Sequence, residues 1–331
     1  MYVIQARNVN DAYAQALRYL YVEGIEESSR NGPVLVAPGP VTTVYSHPCE
    51  RVLFSSKRDA NPFFHFFEAL WMLAGRNDLD FPQQFNKRFG EYSDDGVTLA
   101  GAYGYRWREY FGYDQLQVIA DELKHNPHSR RCVLSMWDAQ GLGYDALPDL
   151  LRQDSKDLPC NTTAYFDVRS GRLNMTVCCR SNDIVWGAYG ANAVHFSMLL
   201  EYMAAAVGVP VGVYRQMSNN FHLYTDVVPK AKMLELAEDA VPAYPEVTPM
   251  VAIDPSTWLQ NIGYFVAGEK TLVEPFLAYT VVPMWYAWQA HKAGDYAAAR
   301  ATCGTIRAVD WRVACTAWLQ RRQAKQAAKA V

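Results

Sequence analysis

The stretch that most constrains the fold is FFHFFEALWMLAG, residues 63–75. Its apolar residues surround the helix axis instead of forming one stripe, which predicts a helix buried on all sides and ended by Gly75. Such a helix needs a large body around it, and 331 residues can bury a substantial core. We expect a single domain spanning 1–331. The one carboxylate in the run, Glu68, is either a shielded working acid or a helix-end glutamate reaching solvent.

Composition excludes several classes. With 50% apolar residues, 20% charged residues and a net charge of −3, the chain reads as an ordinary globular protein. It lacks the basic excess of a general nucleic-acid binder, so any bound anion must be held by a local cluster. The seven cysteines are odd in number and form no C-x-x-C pair, which predicts reduced thiols and no metal site. The start has no basic segment leading into an apolar block. The stretch TLVEPFLAYTVVPMWYAW is broken by Glu274, Pro275 and Pro283. A cytoplasmic protein with no membrane span is expected.

Helical spacing predicts a first helix over 10–22 capped by Asn10, and a second in YDQLQVIADELKHNPHSR that stops at Asn126-Pro127. The segment from Gly32 to Phe54 reads as short strands, and RRCVLSMW as another. TAYFDVRSGRLNMTVCCRSND reads as two strands joined at Ser170-Gly171. ANAVHFSMLLEYMAAAVGV is a buried helix in which His195 reads as a satisfied core histidine. VGVYRQMSNNFHLYTD reads as a strand followed by a loop, and the remainder as mainly helical.

Within DLPCNTT, Cys160 stands between a proline and an asparagine. Twenty positions on comes Arg180-Ser181-Asn182-Asp183, then Asn192, then Asn219-Asn220-Phe221-His222-Leu223-Tyr224. A thiol beside Arg180 would have its pKa lowered, since the cation favours the nucleophilic thiolate. With Arg130-Arg131 and Ser181, the arginines suggest a receptor for a phosphorylated small substrate.

Together these motifs resemble the thymidylate synthases and related pyrimidine-nucleotide hydroxymethylases. The ordered pieces are E-A-L-W around Glu68, A-Y-G-Y-R-W-R at 102–108, D-Q at 114–115, S-R-R at 129–131, L-P-C at 158–160, R-S-N-D at 180–183, Asn192 and H-L-Y at 222–224. The resemblance implies an α+β fold, a mixed sheet packed by helices, and a sheet-to-sheet homodimer. The catalytic core would cover about 30–230, followed by a divergent, mainly helical region over about 231–331. It implies dUMP as substrate and 5,10-methylenetetrahydrofolate as cofactor, with Cys160 adding to C6 of the pyrimidine. Arg180 and Ser181 would receive the phosphate, joined by Arg130 and Arg131 from the second subunit and by Arg30 as a weaker match. His222 and Tyr224 would bind the ribose 3′ hydroxyl. Glu68 would move protons, Tyr103 would assist removal of the C5 proton, Asn192 would read the base, and Asp183 would hold the pterin. Trp71 and Trp107 are expected in the core and cleft wall.

Three departures bear on the product. Asn161 stands where a histidine commonly follows the cysteine, F-N-K-R-F leaves Phe85 or Phe89 where an indole is expected against the folate, and the chain ends QAAKAV instead of in a short apolar tail. A wetter site would let water, not hydride, capture the exocyclic methylene on C5, so 5-hydroxymethyl-dUMP is the expected product and dTMP the alternative. A carboxamide at 192 complements uracil, whereas cytosine hydroxymethylases place an aspartate there.

Overall fold

The computed structural model describes residues 1–143 and 146–328. Its strands are β1 (Tyr2–Ala6), β2 (Ile25–Ser29), β3 (Gly32–Val36), β4 (Val41–Tyr45), β5 (Val133–Ser135), β6 (Asn161–Arg169), β7 (Arg172–Asp183) and β8 (Val211–Tyr224). They make one mixed sheet in the order β1-β4-β8-β7-β6-β5, with the β2–β3 hairpin attached to the end of β8. Packed around it are α1 (Val9–Glu23), α2 (Pro62–Leu73), α3 (Tyr103–Arg108), α4 (Gln115–His125) and α5 (Asn192–Val207). The later helices are α6 (Met233–Ala237), α7 (Pro255–Val266), α8 (Val282–Lys292), α9 (Tyr296–Cys303) and α10 (Val309–Ala327). No helix among the described residues is long and apolar enough to cross a membrane.

The run that opened the sequence reading is α2. Asn61 caps it by accepting from the Phe63 and Phe64 amides, Pro62 occupies its first turn, and Gly75 follows its end at φ +75°. Phe66, Phe67 and Leu70 are wholly buried and Trp71 nearly so. At about 1.5–3 kcal/mol each, these side chains commit α2 to the interior and carry Glu68 in with them. One wall is α3, which approaches so closely that a Cβ at Gly104 would stand 1.9 Å from the Met72 carbonyl oxygen. Another is α10, whose Trp311 and Trp318 meet Phe66 and Phe63 at ring centroid distances of 4.6 and 5.8 Å. Asp59 accepts from Arg321, Arg322 and Lys325 and fixes the far end of α10. Residues 329–331 of the QAAKAV ending lie outside the described residues.

The Ser170-Gly171 turn has φ +52° and +69°, the pair of left-handed residues a tight hairpin requires. Several expectations need correction. The cap of α1 is Asn8, whose side chain accepts from the Asn10 and Asp11 amides, while Asn10 ties the helix to Val52 and Phe54. The sheet begins at Tyr2, ahead of the boundary near residue 30, because β1 pairs in parallel with β4. Asn219–Tyr224 is not a loop. It continues β8, since pairing with β3 and β7 supplies the backbone partners that the polar sequence conceals.

Candidate active site

A cleft of about 440 Å³ opens between α2, α3, the β2–β3 hairpin and the ends of β7 and β8. Its described lining comes from residues between Arg30 and Tyr224. Cys160 enters it just before β6, where the register slips between Asn161 and Thr163. Such a bulge re-aims side chains at a strand's start.

Arg180 Nη2 lies 3.9 Å from Cys160 Sγ and also donates to the Leu158 carbonyl oxygen at 3.2 Å, while Nε donates to that of Pro159 at 3.0 Å. The guanidinium thereby grips the loop that presents the thiol. The expected fall in the thiol pKa is not what results. Burial pushes it above its ordinary value, and Arg180 and Arg30 only partly offset this, because desolvation of a thiolate outweighs one cation at 3.9 Å.

Beside the thiol, Tyr103 Oη accepts from the Cys160 and Asn161 amides at 3.1 Å each and from Asn161 Nδ2 at 2.9 Å. Asn161 Nδ2 also donates to Asn192 Oδ1 at 3.3 Å. Asn192 Nδ2 donates to Asn182 Oδ1 at 3.2 Å, and Asn182 Nδ2 to Ser218 Oγ at 2.8 Å. This chain of amides orients the carboxamide of Asn192. Asn161, at the position where the sequence departs from the histidine pattern, is the link between Tyr103 and Asn192.

Glu68 lines the cleft as well. His195 does not fit the reading of a satisfied core histidine. It is buried, its Nε2 lies 3.0 Å from Glu68 Oε2, yet the two are not aligned for a hydrogen bond, and Glu68 Oε2 and both imidazole nitrogens lack hydrogen-bond partners. One turn back on α2, burial pushes the His65 imidazole well below its ordinary value, and the charges of Arg58 and His195 add to this.

On β8, His222 Nδ1 is 2.7 Å from Asn220 Oδ1, and Tyr224 stands edge-on to the imidazole; both side chains line the cleft. Ser181 and Arg30 line it as well, Arg30 from the hairpin turn. Arg130 and Arg131 are exposed and outside it, Arg131 being paired with Glu122 at 3.0 Å. Asp183 Oδ1 caps the wide π-helical stretch Ile184–Ala191, and its buried Oδ2 has no partner. Of the two phenylalanines, Phe89 lines the cleft. Phe85 does not, because its ring stacks on Phe67 at 4.5 Å in the core.

Among the lining residues that the motifs did not single out, two stand out. Asp157, three positions before Cys160, accepts from the Gly101 amide, and burial raises its pKa to about 6. Trp186, 57% exposed, carries the Arg58 guanidinium 4.8 Å over its ring. An indole is thus present in the cleft, supplied by the segment after Asp183. The R-S-N-D-I-V-W run could have signalled it, since an aromatic three residues past a capping aspartate lies on the first helical turn.

Residues 11–264 match the family model described as thymidylate synthase. The chain is 47% identical to a deoxyuridylate hydroxymethyltransferase of Pseudomonas phage M6, over 98% of this chain and 95% of that protein. A protein of the same name from Bacillus phage SP01 is 37% identical over 62% of this chain and 57% of its own length. A thymidylate synthase of Symbiobacterium thermophilum is 32% identical over 53% and 63%. In fold, the chain is similar to the crystal structure of thymidylate synthase from T4 phage, with a TM-score of 0.60 and 19% identity over 77% of this chain and 91% of that one. The chain belongs to the thymidylate synthase family.

Proposed function

From that membership, we propose that the chain is a deoxyuridylate hydroxymethyltransferase, which places a one-carbon unit on C5 of dUMP and lets water complete the product. One observation carries this choice over a synthase. The relative of that name matches at 47% identity across the whole chain, including the helical region after residue 264 that the family model leaves unmatched.

In this reading Cys160 adds as thiolate to C6 of the pyrimidine, which makes C5 a carbon nucleophile. Arg180, Ser181 and Arg30 receive the phosphate at the open end of the cleft. His222, its ring held by Asn220, and Tyr224 meet the ribose. Asn192 reads uracil with one donor and one acceptor, and the amide chain keeps them in place. Tyr103, gripped through three N–H donors, assists loss of the C5 proton, and Glu68 moves protons at the base. The unpartnered Asp183 Oδ2 and the apolar walls at Trp71, Phe89, Leu99 and Trp186 fit a flat heterocycle bearing N–H donors. 5,10-Methylenetetrahydrofolate, when bound there, supplies the one-carbon unit.

A homodimer belongs to the same reading. On the sheet face away from α5, Val133 and Tyr165 are exposed, which supports a second sheet packing there and would let the partner's cleft receive Arg130 and Arg131. A sedimentation mass of one chain would overturn this.

Turnover of dUMP and the folate in oxygen-18 water tests the product. The expected result is 5-hydroxymethyl-dUMP carrying the heavy label. Unlabelled dTMP with stoichiometric dihydrofolate would reject it in favour of a synthase.

A further inference from the structure

Buried polar groups without hydrogen bonds are rare and costly, at about 1–3 kcal/mol each. Three such atoms sit in two touching side chains at the cleft, Glu68 Oε2 and both nitrogens of His195. His195 is 2% exposed and Glu68 7% exposed. His195 Nε2 and Glu68 Oε2 stand 3.0 Å apart without alignment, and His195 Nδ1 has no partner either. The neighbouring amide chain running from Tyr103 to Ser218 is joined at every link. Asn161 Oδ1 and Asp183 Oδ2 also lack partners, but Glu68 and His195 set two unpartnered ionisable groups against each other, the carboxylate reaching the cleft and the imidazole behind it.

We propose that His195 is a positioning residue for the water-adding step, acting through Glu68; this rests on the hydroxymethyltransferase reading. A small rotation of either side chain lets Nε2–H donate to Glu68 Oε2. That fixes the carboxylate with its other oxygen toward the cleft and stabilises it as the base. A water oxygen then bonds to the exocyclic methylene carbon, and the electrons of the methylene double bond pass into the ring enolate at C4–O4. The water proton goes to Glu68. Collapse of the enolate restores the C5–C6 double bond and expels the Cys160 thiolate, which takes up the proton as Glu68 releases it. No oxidant or reductant is consumed. Without the imidazole the carboxylate would face an apolar back wall, since α5 is buried around residue 195, and would turn away from the reacting carbon.

The test compares His195→Leu, which keeps the bulk and removes both nitrogens, with His195→Gln, which restores an N–H donor near Nε2. We expect Leu to lower kcat for 5-hydroxymethyl-dUMP about a hundredfold with the KM for dUMP and the melting temperature little changed. Gln should recover at least about tenfold of that loss. In parallel, nitrogen-15 spectra of histidine-labelled protein without ligands should place the His195 proton on Nε2, and Glu68→Gln should move that signal. Wild-type kcat in His195→Leu would overturn the proposal. So would a loss in which Gln does no better than Leu, or an imidazole signal indifferent to Glu68→Gln. Formation of dTMP by the wild-type enzyme would instead defeat the product reading, and the ligand-free spectra would still judge the pair.

Discussion

Two sets of buried polar groups at the same cleft are built oppositely. In the first, Tyr103, Asn161, Asn192, Asn182 and Ser218 form a chain in which each amide donates to the next oxygen. In the second, Glu68 and His195 touch at 3.0 Å and leave their buried atoms unpartnered. A joined network resists rearrangement and suits recognition, which depends on a donor and an acceptor staying where they are. An unjoined pair can take up a ligand, a water or a proton at little reorganisation cost. The contrast suggests that this protein reads its base with rigid amides and keeps its proton-transfer pair apart until a small rotation joins it.

The largest expected effect is at Cys160, which lines the same cleft as Glu68 and Asn192. Cys160→Ser removes the C6 nucleophile and should lower turnover at least about 10⁴-fold, while dUMP affinity in calorimetry stays within a few-fold. Near-wild-type turnover would remove the covalent step that gives both groups their meaning. Next comes Glu68→Gln, which tests the free pair alone. Single-turnover kinetics should slow by about 10²–10⁴-fold with dUMP binding retained, whereas a matching loss of binding would make Glu68 part of the recognition network. Asn192→Asp tests the rigid chain. A protonated carboxyl complements cytosine, so the ratio of kcat/KM for dUMP over dCMP should fall by about 10–100-fold. An unchanged ratio would mean the amide chain does not read the base.

The smallest effect concerns stability. Asp157 stands beside Cys160 with its pKa raised to about 6, first by burial and secondarily by charges that include Glu68. The folded state therefore favours its protonated form. The unfolded chain ionises first, so wild-type stability falls as pH climbs from about 4 to about 6, and the loss is complete above that. Asp157→Asn keeps an acceptor for the Gly101 amide and does not titrate. Urea unfolding should find it about equal to wild type at pH 4 and more stable by about 1–3 kcal/mol at pH 7.5. A constant difference across that range would remove the burial argument.

Much of this site was legible in the chain because its parts are local. The apolar run 63–73 read as a buried helix, which left Glu68 either a shielded acid or a glutamate reaching solvent, and the packed helix decided for the interior. Ser170-Gly171 announced a hairpin, and the ordered motifs from E-A-L-W to H-L-Y pointed to a family. What stayed hidden depends on contacts between residues far apart in sequence. Glu68 and His195 are 127 positions apart and meet only because α2 packs on α5. Asn219–Tyr224 looks like loop until β3 and β7 supply its partners. Phe85 and Phe89 are equivalent as letters, and only packing sends one onto Phe67 and the other into the cleft. The thiol pKa follows the same rule. The sequence placed a cation near Cys160, but its burial, which sets the direction of the shift, is decided by everything folded around it.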